Sequence, residues 1–138
     1  MAQFEIKNGV AIIPEGTTKF GSGAFRGCTS LTSIAIPASV TEIGMAAFQD
    51  CTSLKSVTIS ESVTKIVEEA FICCTSLKSI TIPEDVENIG TDAFDGCTSL
   101  VTINVPAKKT DYYEELLPEE LHDKIVELAP EKKTKTKK

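Results

Sequence analysis

Residues 51–73 read CTSLKSVTISESVTKIVEEAFIC, and the 23 residues on either side say nearly the same thing: CTSLTSIAIPASVTEIGMAAFQD at 28–50 and CTSLKSITIPEDVENIGTDAFDG at 74–96. A fourth CTSL opens at 97, so Cys28, Cys51, Cys74 and Cys97 recur at a fixed interval. A period in this range marks a solenoid, because one unit cannot bury its apolar face until a neighbour stacks on it.

Aligned at this period, the residues fall into columns. Leu31, Leu54, Leu77 and Leu100 form one. Ile34, Val57, Ile80 and Ile103 form a second, and Ile13, Ile36, Ile59, Ile82 and Val105 a third. The segments Ser33–Ile36, Ser56–Ile59, Ser79–Ile82 and Thr102–Val105 alternate small polar with β-branched residues, the pattern of a half-buried strand. One strand per coil predicts a parallel sheet with a spacing of about 4.8 Å. Pro14, Pro37, Pro83 and Pro106 end these strands, with Ser60 in the remaining coil, since proline cannot donate to a ladder.

A second apolar pair per coil follows: Val40 and Ile43, Val63 and Ile66, Val86 and Ile89. Gly21, Gly44 and Gly90 recur after it, implying positive φ or a close approach, and Val67 breaks their column. Each coil closes through Ala, Phe and Cys at 24/25/28, 47/48/51, 70/71/74 and 93/94/97, a spacing that predicts a short helical or 3₁₀ turn. The Phe column fills the bulk of the core.

The composite pattern L-x-x-I-x-I-P-x-x-V-x-x-I-G-x-x-A-F-x-x-C resembles the BspA-like type of leucine-rich repeat, over roughly residues 11–107. The resemblance implies an α/β repeat solenoid: a short right-handed coil with a parallel concave sheet. Many proteins of this kind are bacterial or protist surface proteins that bind other proteins or host matrix.

Both ends carry caps in this reading. Asn8-Gly9 between alternating segments is a hairpin signal that pairs Ile6 with Ala11 and Phe4 with Ile13. At the other end, Thr110 or Asp111 is placed to cap a short helix through Leu117, with Pro118 opening a second. Leu117, Leu121, Ile125 and Leu128 share a face at helical spacing and cover the last coil, and Pro130 stops that helix. The expected organisation is a hairpin cap (1–13), the solenoid (14–107), a helical cap (108–130) and a disordered lysine-rich tail (131–138).

The chain of 138 residues carries a net charge of −6. Residues 1–107 hold 12 acidic and 6 basic side chains, whereas residues 108–138 are balanced. An acidic body repels nucleic acid and anionic membrane. No stretch approaches the ~20 apolar residues of a membrane span. The opening MAQFEIKNGV lacks a basic region followed by an apolar run. A cytoplasmic location is the expectation for the chain as it stands, and the cell surface the alternative for a fragment of an exported protein.

Three arrangements are open to the cysteine column: buried apolar side chains, disulfides between neighbouring coils, or a zinc site. The first suits a ladder best, because four thiolates spread along a line do not converge on one point. Cys73 adds a Cys-Cys dipeptide and is the expected accessible thiol. His122 lies off the apolar stripe and reads as a solvated surface residue, and neither a phosphate loop nor metal-ligand spacing is present. No enzymatic activity and no cofactor is expected.

What remains is the outward side of the strands. Ser33, Ser56, Ser79 and Thr102 form one column there, and Ala35, Thr58, Thr81 and Asn104 another, flanked by Thr32, Lys55, Lys78 and Val101. Solenoids use such extended faces for partners. The expected protein-binding residues are therefore Ser33, Lys55, Ser56, Thr58, Lys78, Ser79, Thr81, Thr102 and Asn104. The expected partner is a protein or peptide bound by a monomer; the alternative is a self-associating unit that uses its C-terminal helices.

Overall fold

The computed structural model describes residues 4–128 of the chain. It begins with the hairpin: β1 (Glu5–Lys7) pairs antiparallel with β2 (Val10–Ile12), Ile6 opposite Ala11. Asn8 (φ 53°) and Gly9 (φ 82°) take the two positive angles of a type I′ turn. The expected tail, residues 131–138, and Pro130 lie outside the described residues.

Each repeat then forms one coil with three walls. The first wall contains β4 (Ser33–Ala35), β6 (Ser56–Thr58), β8 (Ser79–Thr81) and β10 (Thr102–Val105). The second contains β3 (Lys19–Phe20), β5 (Glu42–Ile43), β7 (Lys65–Ile66) and β9 (Asn88–Ile89), joined in that order into a parallel sheet. Partner residues along both walls are 23 apart, as with Ser33 and Ser56 or Glu42 and Lys65. The Leu and strand columns are accordingly buried from Leu31 to Val105.

The third wall is a run of tight turns rather than a helix. Within a coil, the amides of Ala24, Arg26 and Cys28 bond carbonyls three residues back. The alternate amides of Gly23, Phe25 and Gly27 bond Met45, Ala47 and Gln49 of the next coil. Two left-handed residues per coil prevent helical propagation. One column is Gly23, Ala46, Glu69 and Asp92 (φ 66°, 56°, 60° and 61°). The other is Gly27, Asp50, Cys73 and Gly96 (φ 71°, 61°, 63° and 77°). The Gly21/Gly44/Gly90 column is not left-handed. At Gly44 and Gly90 the reason for glycine is close approach: a Cβ on Gly44 would strike the Phe20 carbonyl, and one on Gly90 the backbone of Val67 and Glu68.

Inside, the phenylalanines stack. Ring centroids of Phe4 and Phe25, Phe25 and Phe48, and Phe48 and Phe71 are each 5.0 Å apart. Phe71 and Phe94 follow at 5.6 Å, nearly parallel at 2°. Phe20 meets Phe4, Phe25 and Phe48 edge-on and closes the N-terminal end.

The C-terminal cap departs from the expected two helices. Helix α1 runs Thr110–Leu116, and a 3₁₀ helix spans Glu119–Lys124. Ile125–Glu127 is a strand, β11, paired parallel with β10, Ile125 opposite Ile103. The free edge of β10 explains the difference, since a strand satisfies its orphan amides and carbonyls and a helix cannot. Neither Thr110 nor Asp111 caps α1 through its side chain. Thr110 donates instead to the Glu127 carboxylate at 2.7 Å, which, with the Lys108 and Thr110 amides, lowers the Glu127 pKa. Tyr113, wholly buried, donates its hydroxyl to the Pro83 carbonyl at 2.8 Å, and Tyr112 donates to Val86 at 2.8 Å. These two bonds fasten the cap to the solenoid.

Candidate functional site

The strand face is built by the pleat. Because Ile34, Val57, Ile80 and Ile103 point inward, the residues on either side of each must point out. Lys55, Ser56, Thr58, Lys78, Ser79 and Thr81 are exposed, whereas Ser33, Thr102 and Asn104 are half-buried. Ser33 stands opposite Ser56, Ser79 opposite Thr102, and Thr81 opposite Asn104. The Asn104 amide nitrogen donates to the Thr81 hydroxyl at 3.2 Å, continuing the ladder through side chains.

The face is not one sheet. β1, β2, β4 and β6 form one sheet, and β8, β10 and β11 another. Ser33, Lys55, Ser56 and Thr58 therefore lie on the first half, and Lys78, Ser79, Thr81, Thr102 and Asn104 on the second. The β4–β6 and β8–β10 junctions are closed by flanking bonds: Lys55 N–H to Thr32, Ile36 N–H to Thr58, Val101 N–H to Lys78 and Ile82 N–H to Asn104. Between β6 and β8 the equivalent bonds, Lys78 N–H to Lys55 and Ile59 N–H to Thr81, are not made.

Apolar residues frame the face. Val10 and Ile12 at one end are 45% and 47% exposed, and Val101 and Val126 at the other 65% and 43%. Val10 and Ile12 stand one period before Ser33 and Ala35, so the column alignment carried one step further back reaches them. Val126 joins only because β11 is a strand.

The thiols are structural. All five cysteines are free. The Cys51 S–H donates to the Phe25 carbonyl at 3.0 Å, and Cys74 and Cys97 donate to Phe48 and Phe71, each at 3.1 Å. Each of these carbonyls also accepts the amide of the cysteine in its own coil, so the thiol occupies its second lone pair. Burial pushes the Cys51 thiol up to about 12 and Cys97 to about 11, and raises Cys74 further. Cys73, in a left-handed position, is the half-buried exception.

His122 is not the solvated residue its place in the sequence suggests. It is half-buried, and its Nε2–H reaches the carbonyls of Glu114 (2.8 Å) and Leu117 (3.0 Å), closing the end of α1. A groove of about 200 Å³ between the last coil and the cap is lined by Asp92, Asp95, Cys97, Pro118, Glu120, Leu121 and Lys124, among others. Among the described residues no group of three or more His, Cys, Asp or Glu could hold a metal ion. Nor is any helix among them long and apolar enough to cross a membrane.

A coil of Leu, Ile-x-Ile, Ala-Phe and Cys, with strands on two walls and turns on the third, has known counterparts. The BspA type leucine rich repeat region matches residues 5–117 in 6 copies. The chain belongs to the BspA-type leucine-rich repeat family. Solved structures agree. A leucine-rich repeat protein from Bacteroides capillosus is 40% identical, with a TM-score of 0.59 over 64% of this chain and 62% of its own. A leucine rich cell surface protein from Faecalibacterium prausnitzii is 39% identical, with a TM-score of 0.69 over 72% of this chain and 26% of its own. The chain thus spans less than two thirds of either bacterial relative. The T. pallidum leucine-rich repeat protein, at 23% identity and TM-score 0.56 over 75% of this chain and 68% of its own, shares the fold. No curated protein matches the chain.

Proposed function

We propose that this repeat solenoid is a non-enzymatic interaction module that holds a protein or peptide partner on its strand face. The observation that carries the reading is the alignment of exposed Ser, Thr and Lys side chains in register across successive coils, framed by exposed valine and isoleucine. Lys55 and Lys78 would meet acidic groups, the hydroxyls would make hydrogen bonds, and Val10, Ile12, Val101 and Val126 would supply apolar contact at the rim. Leucine-rich repeat proteins are generally interaction or adhesion modules, which supports the reading by analogy. Against catalysis, the one thiol lining the groove, Cys97, is buried, held protonated and committed to the Phe71 carbonyl. The cell-surface description of the F. prausnitzii relative favours an exported adhesin as the setting, with the cytoplasm as the other.

The test is comparative capture. Wild type and the variant Lys55→Glu, Thr58→Arg, Thr81→Arg, each shown folded by circular dichroism, are immobilised, exposed to the same native extract, and compared by mass spectrometry. Proteins held by the wild type and released by the variant support the face. An identical set on both rejects it.

A further inference from the structure

The open junction between β6 and β8 coincides with the one place in the strand wall where two like charges occupy equivalent positions in adjacent coils. Lys55 and Lys78 are one period apart, with exposed side chains flanking that junction. Like charges placed opposite each other in a ladder are destabilising. The neighbouring junctions pair Thr32 with Lys55 and Lys78 with Val101, and both are closed. The other walls are continuous here. β7 pairs with β9, and the amides of Glu69, Phe71 and Cys73 bond to the next coil. The opening is therefore confined to the binding face, and it leaves the Lys78 and Ile59 amides without their usual partners.

The outward positions of β4, β6, β8 and β10 and of the residues preceding them include no carboxylate. Along these strands and the residues that precede them the two lysines are the charged side chains, although the body as a whole is acidic. From this we infer that the junction is an anion-operated clasp. A short acidic segment of a protein partner, placing carboxylates between Lys55 and Lys78, removes the repulsion and lets the two half-sheets join. The inference rests on the strand face being the binding surface and deepens it by naming the chemistry of the ligand and its effect on the fold. A short segment fits better than an extended polyanion, whose remaining charges would meet the acidic body.

The experiment follows amide hydrogen exchange by NMR on the full chain, with hexaglutamate as probe. In the free protein, Lys78 and Ile59 exchange faster than their closed counterparts Lys55, Val101, Ile36 and Ile82. Hexaglutamate slows both by roughly tenfold, the worth of a hydrogen bond recovered, and added salt reverses the effect. Hexalysine does nothing. Lys55→Gln protects the same two amides without peptide and no longer responds to it. The clasp is overturned if Lys55→Gln leaves both amides fast. It is equally overturned if sulfate at matched ionic strength protects as well as the peptide. Loss of captured proteins in the triple variant, with no response to hexaglutamate, would leave the binding face standing and remove the clasp.

Discussion

Replacing Glu69 by glycine makes this protein more stable, although it deletes a side chain and adds nothing in its place. Glu69 sits at φ 60° in a column otherwise filled by Gly23, Ala46 and Asp92. An L-residue held in the left-handed region costs about 1–2 kcal/mol. Glycine avoids that cost but gives back ~0.5–1 kcal/mol through the greater freedom of its unfolded chain. The balance for Glu69→Gly is a gain of about 0.5–1 kcal/mol. Ala46→Gly tests the bookkeeping: Ala46 is buried, and losing its methyl forfeits ~0.8 kcal/mol, so the change comes out near zero. Asp92→Gly is also close to neutral, because aspartate tolerates this conformation. The reverse substitution isolates the backbone. A Cβ on Gly27 (φ 71°) meets no atom within 4 Å, so Gly27→Ala costs about 1 kcal/mol from conformation alone. Urea unfolding with unchanged m-values reads these differences directly, and 1 kcal/mol corresponds to roughly 4 °C in Tm at this chain length. A destabilised Glu69→Gly together with a neutral Gly27→Ala would refute the column assignment.

Alkaline pH separates the buried thiols from the rest of the chain. Their folded pKa values lie above the ordinary 9.0, about 12 for Cys51 and about 11 for Cys97, with Cys74 also raised. The unfolded chain therefore releases protons first, so stability is fully present well below pH 9 and is lost as pH rises through 9 towards the folded values of about 11 for Cys97 and about 12 for Cys51. Three such thiols give roughly 4 kcal/mol of loss between pH 8 and 10, and Cys51→Ala removes about a third of that slope in urea titrations. Tyr113→Phe leaves the Pro83 carbonyl without its hydroxyl partner and costs ~1–3 kcal/mol in the same assay; no change would mean that this bond does not help to hold the cap. A thiol reagent applied to the native protein modifies Cys73 first, the other four reacting only on unfolding; rapid labelling of Cys51 or Cys74 would contradict the dry column.

The coil was legible in the sequence because a fixed interval brings like residues together, and burial then needs only the choice of strand face. Ile34, Phe48 and Leu77 take their positions from that alone. Asn8-Gly9 announced the hairpin because few other pairs adopt two successive positive φ angles. Ile125 could not be read the same way: its spacing to Leu121 and Leu128 suits a helix, and only the unpaired edge of β10, a tertiary fact, makes it a strand. His122 was opaque for the same reason, its partners being carbonyls exposed by the end of α1. The left-handed columns were half visible in Gly23, Gly27 and Gly96 and masked by Ala46, Glu69 and Cys73. The outward Ser, Thr and Lys residues fell where the pleat required, but the break between Lys55 and Lys78 depends on the balance of repulsion and pairing at one junction. Periodicity carries no record of that balance.

The rows of phenylalanine rings and thiols have a consequence for how such chains change length. Every interior coil offers its successor the ring and the carbonyl that it receives from its predecessor. Excising residues 51–73 would set Cys74 where Cys51 was and Phe71's partner where Phe48's was, so like replaces like across the splice. Removing a number of residues that is not a multiple of 23 would misalign every wall at once. Viable length variants of this protein should therefore differ by whole layers.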